Sequence, residues 1–139
     1  MALEENKTIV RRYQDIYNSN KLDNLLEVVS EDLLTPKIMP GIPSGIEGAK
    51  VAHQIMLAGF PDYQTVIDDL IAEGDKVAAR ITMSGTNTGS FMGIPSTGKF
   101  ISFTGMYIAR IANGKIVEHW GEEDGVSLLA QLGVLPKMG

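Results

Sequence analysis

The stretch IARIANGKIVEHW, residues 108–120, decides the fold of this chain. Asn113-Gly114 is the strongest short-range signal for a two-residue hairpin turn, and apolar residues recur on both sides of it. Outward from the turn, the pattern predicts one long strand over residues 99–112 and a shorter one over residues 115–120. The two strands are antiparallel, because a two-residue turn joins only antiparallel strands.

The turn also fixes which residues face each other across the hairpin. A two-residue loop places Ile111 opposite Ile116, and the same count places Tyr107 opposite Trp120. Cross-strand partners share a face of the sheet, as do residues two apart. One face is therefore predicted to be apolar and aromatic and to hold carboxylates: Phe103, Tyr107, Ile111, Ile116 and Trp120, with Glu118 and, if the strand continues, Asp124. The opposite face is predicted to carry Met106, Ile108, Arg110, Val117 and His119.

Away from the hairpin, the period of the apolar residues separates helices from strands. A helical period predicts three N-terminal helices and one terminal helix, over about residues 4–18, 22–29, 47–59 and 126–132. After Pro61-Asp62 the period becomes two, which predicts strands over residues 63–73 and 77–84. Helices followed by an antiparallel sheet are typical of the α+β class, here as one domain over residues 1–139.

Composition narrows the function classes. The 139 residues include no cysteine and two histidines, which excludes thiolate nucleophiles, Cys-based metal sites and a three-histidine metal centre. The groups left for the chemistry of a site are carboxylates, phenols and the two histidines. Twelve Lys and Arg against seventeen Asp and Glu give a net charge of −5, without the basic face that nucleic acid requires. No apolar run approaches the roughly 18 residues of a membrane helix, so we expect a cytoplasmic protein that binds neither nucleic acid nor membrane.

The aromatic face of the hairpin is a candidate small-molecule site. Aromatic side chains exclude water, and desolvation raises the pKa of a carboxyl group toward the range useful for acid–base catalysis. Asp124 is the candidate base. Two structural alternatives stay open: Asp124 immediately precedes the terminal helix and suits its N-cap, and Tyr107 with Trp120 suits a packed cross-strand pair.

Side chains of the predicted helices extend this candidate site. His53 lies on the edge of the apolar stripe of the third helix, in line with Met56, and is either a second acid–base group or a structural histidine. Tyr17, on the first helix, either directs its phenol at a carbonyl oxygen or packs in the core or an interface. His119 is expected to face away from the aromatic wall.

An ordered set of short motifs runs from Gly45 to Gly133. It comprises Gly45-Ile46-Glu47-Gly48, Phe60-Pro61-Asp62, Ala72-Glu73-Gly74-Asp75-Lys76-Val77, Gly85-Thr86-Asn87-Thr88-Gly89, Gly93-Ile94-Pro95, Thr97-Gly98-Lys99, Arg110-Ile111, Gly114-Lys115-Ile116-Val117-Glu118-His119-Trp120, Asp124 and Gln131-Leu132-Gly133. In this order the motifs resemble the SnoaL-like polyketide cyclases of the nuclear-transport-factor-2-like superfamily. The chain departs from the family pattern at Asn87, where histidine is frequent, and at Ser96, where proline is frequent.

The resemblance implies a cone-shaped α+β barrel, in which N-terminal helices pack on a curved antiparallel sheet and enclose a deep apolar pocket. Members usually form dimers or higher oligomers through the sheet. The family's cyclases close a ring of an aromatic polyketide by intramolecular aldol condensation without metal or cofactor, and an aspartate is their acid–base group. That aspartate maps to the acidic residue four after the tryptophan, which is Asp124.

Two functions follow as hypotheses. In the first, a cofactor-independent enzyme uses Asp124, with His53 as a second acid–base candidate, to take a proton α to a carbonyl. Ring closure or a ketosteroid-isomerase-like double-bond shift follows. The enolate oxygen needs a neutral donor, which Tyr107, Trp120, Asn87 or protonated His53 would supply. In the second, the chain is a non-catalytic binding or assembly domain and Asp124 is only a helix cap. The expected contacts to an apolar or aromatic ligand are Trp120, Tyr107, Asn87, Tyr17, Phe103 and Met56.

Overall fold

The structure is a computed structural model that describes residues 2–36 and 40–135. Three α-helices, one 3-10 helix and five strands follow one another along these residues. In chain order they are α1 (Ala2–Asn18), the 3-10 helix (Leu22–Glu27), β1 (Val29–Leu34), α2 (Gly45–Gly59), β2 (Gln64–Glu73), β3 (Lys76–Thr86), β4 (Phe100–Ala112), β5 (Lys115–Glu123) and α3 (Gly125–Leu132). The α+β class is confirmed.

The five strands form one sheet in the order β1-β5-β4-β3-β2. The last four strands in the chain pair antiparallel with their neighbours, as the sequence predicts. Strand β1 is the difference, because it pairs parallel with β5 where the sequence predicts the end of a helix. Val28 and Val29 are almost fully buried there. β-branched residues fit a buried strand better than a helix, so the chain leaves the helix at Glu27.

Helix α1 packs across β2, β3 and β5 on the concave face of the curved sheet. Its buried residues Val10, Tyr13 and Ile16 share one stripe, at the helical spacing that the sequence predicts. Opposite them, β3 alternates buried and more exposed residues from Val77 to Met83. Burial of each large apolar side chain contributes about 1.5–3 kcal/mol, so this layer between helix and sheet stabilises the fold. Within the described residues, no helix combines the length and the apolar character needed to cross a membrane.

The β4–β5 hairpin keeps the predicted register only next to its turn. Asn113 and Gly114 both have positive φ, as a two-residue hairpin turn requires, and the first two pairs beyond it are as predicted. Val117 is then an extra residue without a partner, so Arg110 pairs with Glu118. One inserted residue is a β-bulge, and it reverses the face of every later residue in the strand.

Candidate functional site

The bulge at Val117 changes which β5 residues face the concave side of the sheet. Trp120, predicted to face Tyr107 on the aromatic wall, lies instead opposite Ile108 on the outer face and is 49% exposed. His119, predicted to face away, lies opposite the buried Ala109 on the concave face. Both predictions are wrong for the same reason, because the count from the turn included no inserted residue.

Glu118 is also displaced from its predicted position on the aromatic wall. It lies on the outer face beside Arg110, and the guanidinium donates a hydrogen bond to its carboxylate. This bond holds the pKa of the Glu118 carboxyl below its usual range. An opposite-charge pair across a ladder is favourable, so the pairing of Arg110 with Glu118 is the signal in the sequence that points to the bulge.

All four tyrosines and both histidines of the chain meet on the concave face. We call this set the ring cluster: Tyr13, Tyr17, His53, Tyr63, Tyr107 and His119. Its centre is Tyr13 of α1, whose ring centroid lies 4.9 Å from that of Tyr17, 6.1 Å from that of Tyr107 and 5.6 Å from that of His119. Edge-to-face contacts at such distances are favourable for aromatic pairs. Tyr13, like Tyr17, is expected from the sequence as a core phenol or a phenol directed at a carbonyl oxygen, whereas the places of Tyr63 and His119 in the cluster are not predicted.

Burial keeps the ring cluster electrically neutral at neutral pH. Desolvation raises the pKa of Tyr13 and Tyr107 above the ordinary tyrosine range, so both phenols stay protonated. The same effect lowers the pKa of His119 to about 4, so its imidazole is uncharged. A neutral phenol donates a hydrogen bond, and a neutral imidazole donates one and accepts one. The concave face therefore offers uncharged donors in an apolar setting.

His53 joins α2 to the ring cluster. Its ring centroid lies 5.0 Å from that of Tyr17 and 6.0 Å from that of Tyr63, and its Nε2 lies 2.9 Å from Oδ1 of Asn20. The side chain is 5% exposed, and burial lowers its pKa below the ordinary histidine value. A protonated His53, one of the expected oxyanion donors, is therefore disfavoured. The environment is that of the structural histidine left open as the alternative.

Asn87 is fully buried and has a structural position. Its Nδ2 donates to the carbonyl oxygens of Gly59 and Gly89, at 3.1 and 3.0 Å. Its Oδ1 accepts from both the backbone N–H and the hydroxyl of Thr97, at 2.8 and 2.9 Å. These four bonds use the full capacity of an amide side chain. The expected ligand contact at Asn87 is therefore not available, and the amide instead ties the loop after β3 to the end of α2.

Of the other expected ligand contacts, Trp120 is on the outer face, and the remaining four lie on or beside the concave face. Phe103 and Tyr107 are buried there, and the Tyr107 hydroxyl lies 3.4 Å from Oε1 of Gln14. Tyr17 and Met56 are half-buried and pack against the core. These half-buried side chains mark the part of the concave face that solvent still reaches.

Asp124 lies between β5 and α3 and is exposed. Its Oδ1 accepts a hydrogen bond from the backbone N–H of Ser127 at 3.0 Å, which is the N-cap interaction that the sequence leaves open as an alternative. Its own N–H donates to the carbonyl oxygen of Thr104 at 2.9 Å, which fixes the end of β5 against β4. The cap role is confirmed, and the carboxylate also remains accessible to solvent.

A cleft of about 480 Å³ opens between α1 and β2. Its lining is largely polar and includes Arg11, Gln14 and Asp15 of the helix. Asp124 and Phe103 do not line it, so this cleft is distinct from the apolar pocket that the family resemblance implies. Among residues 2–36 and 40–135, no group of three or more histidine, aspartate or glutamate side chains is arranged to hold a metal ion.

The sequence model of the SnoaL-like polyketide cyclases matches residues 7–132. The chain belongs to this family. An aklanonic acid methyl ester cyclase of Streptomyces peucetius is 28% identical over 129 residues, which cover 90% of this chain and 88% of the relative. A nogalonic acid methyl ester cyclase of Streptomyces nogalater is 28% identical over 119 residues, which cover 84% of this chain and 89% of the relative. Each match thus covers most of this chain.

The solved structure of TsrD from Streptomyces laurentii is similar to this fold, with a TM-score of 0.83 and 31% sequence identity. The match covers 95% of this chain and 97% of TsrD. The SnoaL-like family and its α+β architecture, both expected from the motifs, are thus confirmed.

Proposed function

We propose that this SnoaL-like protein is a cofactor-independent cyclase that closes a ring of a polyketide methyl ester by intramolecular aldol condensation. The observation that carries the proposal is the ring cluster, which presents neutral donors on one apolar face and whose Tyr63 lies near the Glu123 carboxylate at the end of β5. The two similar cyclases support the substrate class, since both act on methyl esters of polyketide acids. We also propose that the protein acts in the cytoplasm.

Asp124 is the proposed base. Its carboxylate takes a proton from a carbon α to a carbonyl, and the resulting enolate attacks a second carbonyl of the same molecule. The enolate oxygen needs a donor that does not carry a full charge, and the half-buried phenols of Tyr17 and Tyr63 meet that need. The apolar side chains around them exclude water, which strengthens each hydrogen bond to the developing charge.

Replacement of Asp124 by asparagine tests the base. Asparagine keeps a side-chain oxygen that caps α3, but it cannot take a proton, so the fold remains and turnover falls about 10²–10⁴-fold. Ring closure of aklanonic acid methyl ester and of nogalonic acid methyl ester is followed by chromatography, and unfolding by urea is the control for structure. Turnover that survives in D124N would overturn this assignment.

The exposed, capping position of Asp124 favours one second candidate, a non-catalytic binding domain with the same concave face. The two candidates differ in one measurable step. An enzyme exchanges the α-hydrogens of the methyl ester with D2O, because proton removal precedes ring closure. A binding domain shifts in thermal stability on addition of the ester but exchanges no hydrogen.

We propose that a second copy of the chain covers the outer face of the sheet. Met106, Ile108 and Trp120 are adjacent there, and each is about half exposed. Adjacent exposed apolar side chains of this kind often mark a protein–protein contact. The same face carries Arg80 and Arg110 as well as Glu118, so it is complementary to itself in charge, as a two-fold interface requires.

Sedimentation equilibrium tests this assembly. Trp120→Glu would bury a charge in the interface and weaken self-association at least about tenfold. Leu3→Glu is the matched control, because Leu3 is a partly exposed apolar residue on α1, which packs on the opposite side of the sheet. A monomeric unmodified chain, or equal association of the two variants, would contradict the proposal.

A further inference from the structure

Glu123 occupies a position on the concave face that only the Val117 bulge makes available. It lies opposite Gly105, whereas its neighbour Glu122 lies opposite Met106 on the outer face. A Cβ atom at Gly105 would lie 2.9 Å from the carbonyl oxygen of Glu122, 3.0 Å from the terminal carbon of Met83 and 3.3 Å from Cγ of Glu123. The β5 backbone and the Glu123 side chain therefore pass so close to Gly105 that a side chain there would crowd both.

The carboxyl group of Glu123 has surroundings that differ from those of an ordinary surface glutamate. The chain packed around it raises its pKa by desolvation, although the residue remains accessible at the rim of the concave face. Tyr63 is close enough that the charge of Glu123 raises its pKa, and Glu122 and Asp124 flank Glu123 in the chain. Among the described residues, no salt bridge neutralises it.

We infer that Glu123 is a second catalytic carboxyl, which donates the proton that the ring-closing alkoxide takes up. The inference rests on the proposed cyclase function and divides the acid–base work between two neighbours. Asp124, which is exposed and caps the N-terminus of α3, receives the carbon-bound proton. Glu123, on the concave face beside Tyr63, holds a proton for oxygen.

The step balances without any further reactant. Asp124 gains the proton of the α-carbon, and the electron pair of that C–H bond forms the enolate. The enolate carbon forms the new C–C bond to the second carbonyl carbon, whose oxygen becomes an alkoxide. The alkoxide takes the proton of Glu123, which leaves Asp124 protonated and Glu123 ionised. Asp124 then releases its proton to water and Glu123 takes one up from water, which restores both groups, and the product keeps every atom of the substrate.

The test separates proton removal from ring closure. With aklanonic acid methyl ester in D2O, mass spectrometry follows deuterium uptake at the α-carbon, and chromatography follows the closed ring. We expect E123Q to retain deuterium uptake within about twofold and to lose ring closure by about 10²–10⁴-fold. E122Q is the matched control: it makes the same chemical change one residue earlier, on the outer face, and is expected to leave both rates unchanged. Glutamine has nearly the shape of glutamate, and urea unfolding verifies that E123Q is folded.

The outcomes distinguish this inference from the proposed function. Ring closure in E123Q at the rate of E122Q overturns the role of Glu123 and leaves Asp124 as base. Deuterium uptake that persists in D124N overturns the assignment of the base instead. An unmodified chain that neither exchanges nor closes the ring overturns both. Independently of substrate, a ¹³C carboxyl signal that is absent from E123Q is expected to titrate above the ordinary glutamate range, and titration within that range would overturn the inference.

Discussion

The two faces of the β4–β5 hairpin contain similar residues in different surroundings. The concave face carries Phe103, Tyr107 and His119 beneath α1, and the outer face carries Ile108 and Trp120 in the open. Side-chain alternation counted from the turn assigns the faces correctly on β4, but it assigns them incorrectly on β5 after Val117. The turn and the alternating pattern identify the hairpin. The inserted residue Val117 then decides which side chains of β5 reach the concave face.

Deletion of Val117 tests whether the bulge itself is needed to keep this difference. Glu118 would then follow Ile116 directly and still pair with Arg110, so His119 stays on the concave face and Trp120 on the outer face. We therefore expect the free energy of unfolding to fall by less than about 3 kcal/mol. Urea denaturation measures the loss, and a loss of more than about 4 kcal/mol would contradict the retained pairing. Val117→Ala, which keeps the bulge, is the control and is expected to cost about 1 kcal/mol.

Alanine substitutions at two neighbouring residues of β4 compare the faces without changing the register. Phe103 is 4% exposed on the concave face, so Phe103→Ala leaves a cavity and is expected to cost about 3–5 kcal/mol. Thr104 is exposed on the outer face, and Thr104→Ala is expected to change stability by less than about 1 kcal/mol. Equal losses for the two variants in urea denaturation would show that the faces are not distinguished by burial.

Acid weakens the concave face through His119. The pKa of this imidazole is about 4 in the folded chain and 6.5 in the unfolded chain, so only the unfolded chain takes up a proton as the pH falls from 6.5 to 4. Stability therefore decreases with falling pH over this window, by up to about 3 kcal/mol, and is fully present above pH 6.5. His53, whose pKa burial also lowers, adds to the loss in the same direction. His119→Gln should flatten the profile of unfolding free energy between pH 7 and pH 4, and an unchanged slope would contradict the burial of His119.

The smallest expected effect concerns the end of the hairpin. Asp124→Ala removes the side-chain acceptor for the Ser127 N–H and is expected to cost about 1 kcal/mol, whereas Asp124→Asn costs a few tenths. Thermal unfolding of the two variants at pH 7 measures the difference. Two equally stable variants would indicate that the cap bond contributes nothing, and Asp124 would then be free of a structural role.

Local patterns in the sequence predict most of the elements of this fold. The Asn113-Gly114 turn and the alternation along β3 are local signals, and both elements form as predicted. The sequence does not predict strand β1, because leucines and valines from Leu22 to Val29 repeat at helical spacing, although Val29 begins the strand. Pairing with β5, which is distant in sequence, decides that choice.

The candidate site is predicted less completely, since it depends on contacts between distant segments. Phe103 and Tyr107 follow from the hairpin itself. Asp124 does not, because the bulge places Glu123 on the concave face and β5 ends before Asp124. Tyr63 does not follow either, because its contact with His53 joins segments that are distant in the sequence. No glycine or proline marks the bulge at Val117 in the sequence. The one signal for it is the charge pairing of Arg110 with Glu118.

Each face of the sheet also has its own spectroscopic signal. The single tryptophan, Trp120, is half exposed on the outer face, while all four tyrosines lie in the ring cluster on the concave face. Tryptophan emission therefore responds to whatever covers the outer face, and the near-ultraviolet circular dichroism of the tyrosines responds to whatever enters the concave one. Self-association and ligand binding can be recorded in the same cuvette, at two wavelengths, without a label.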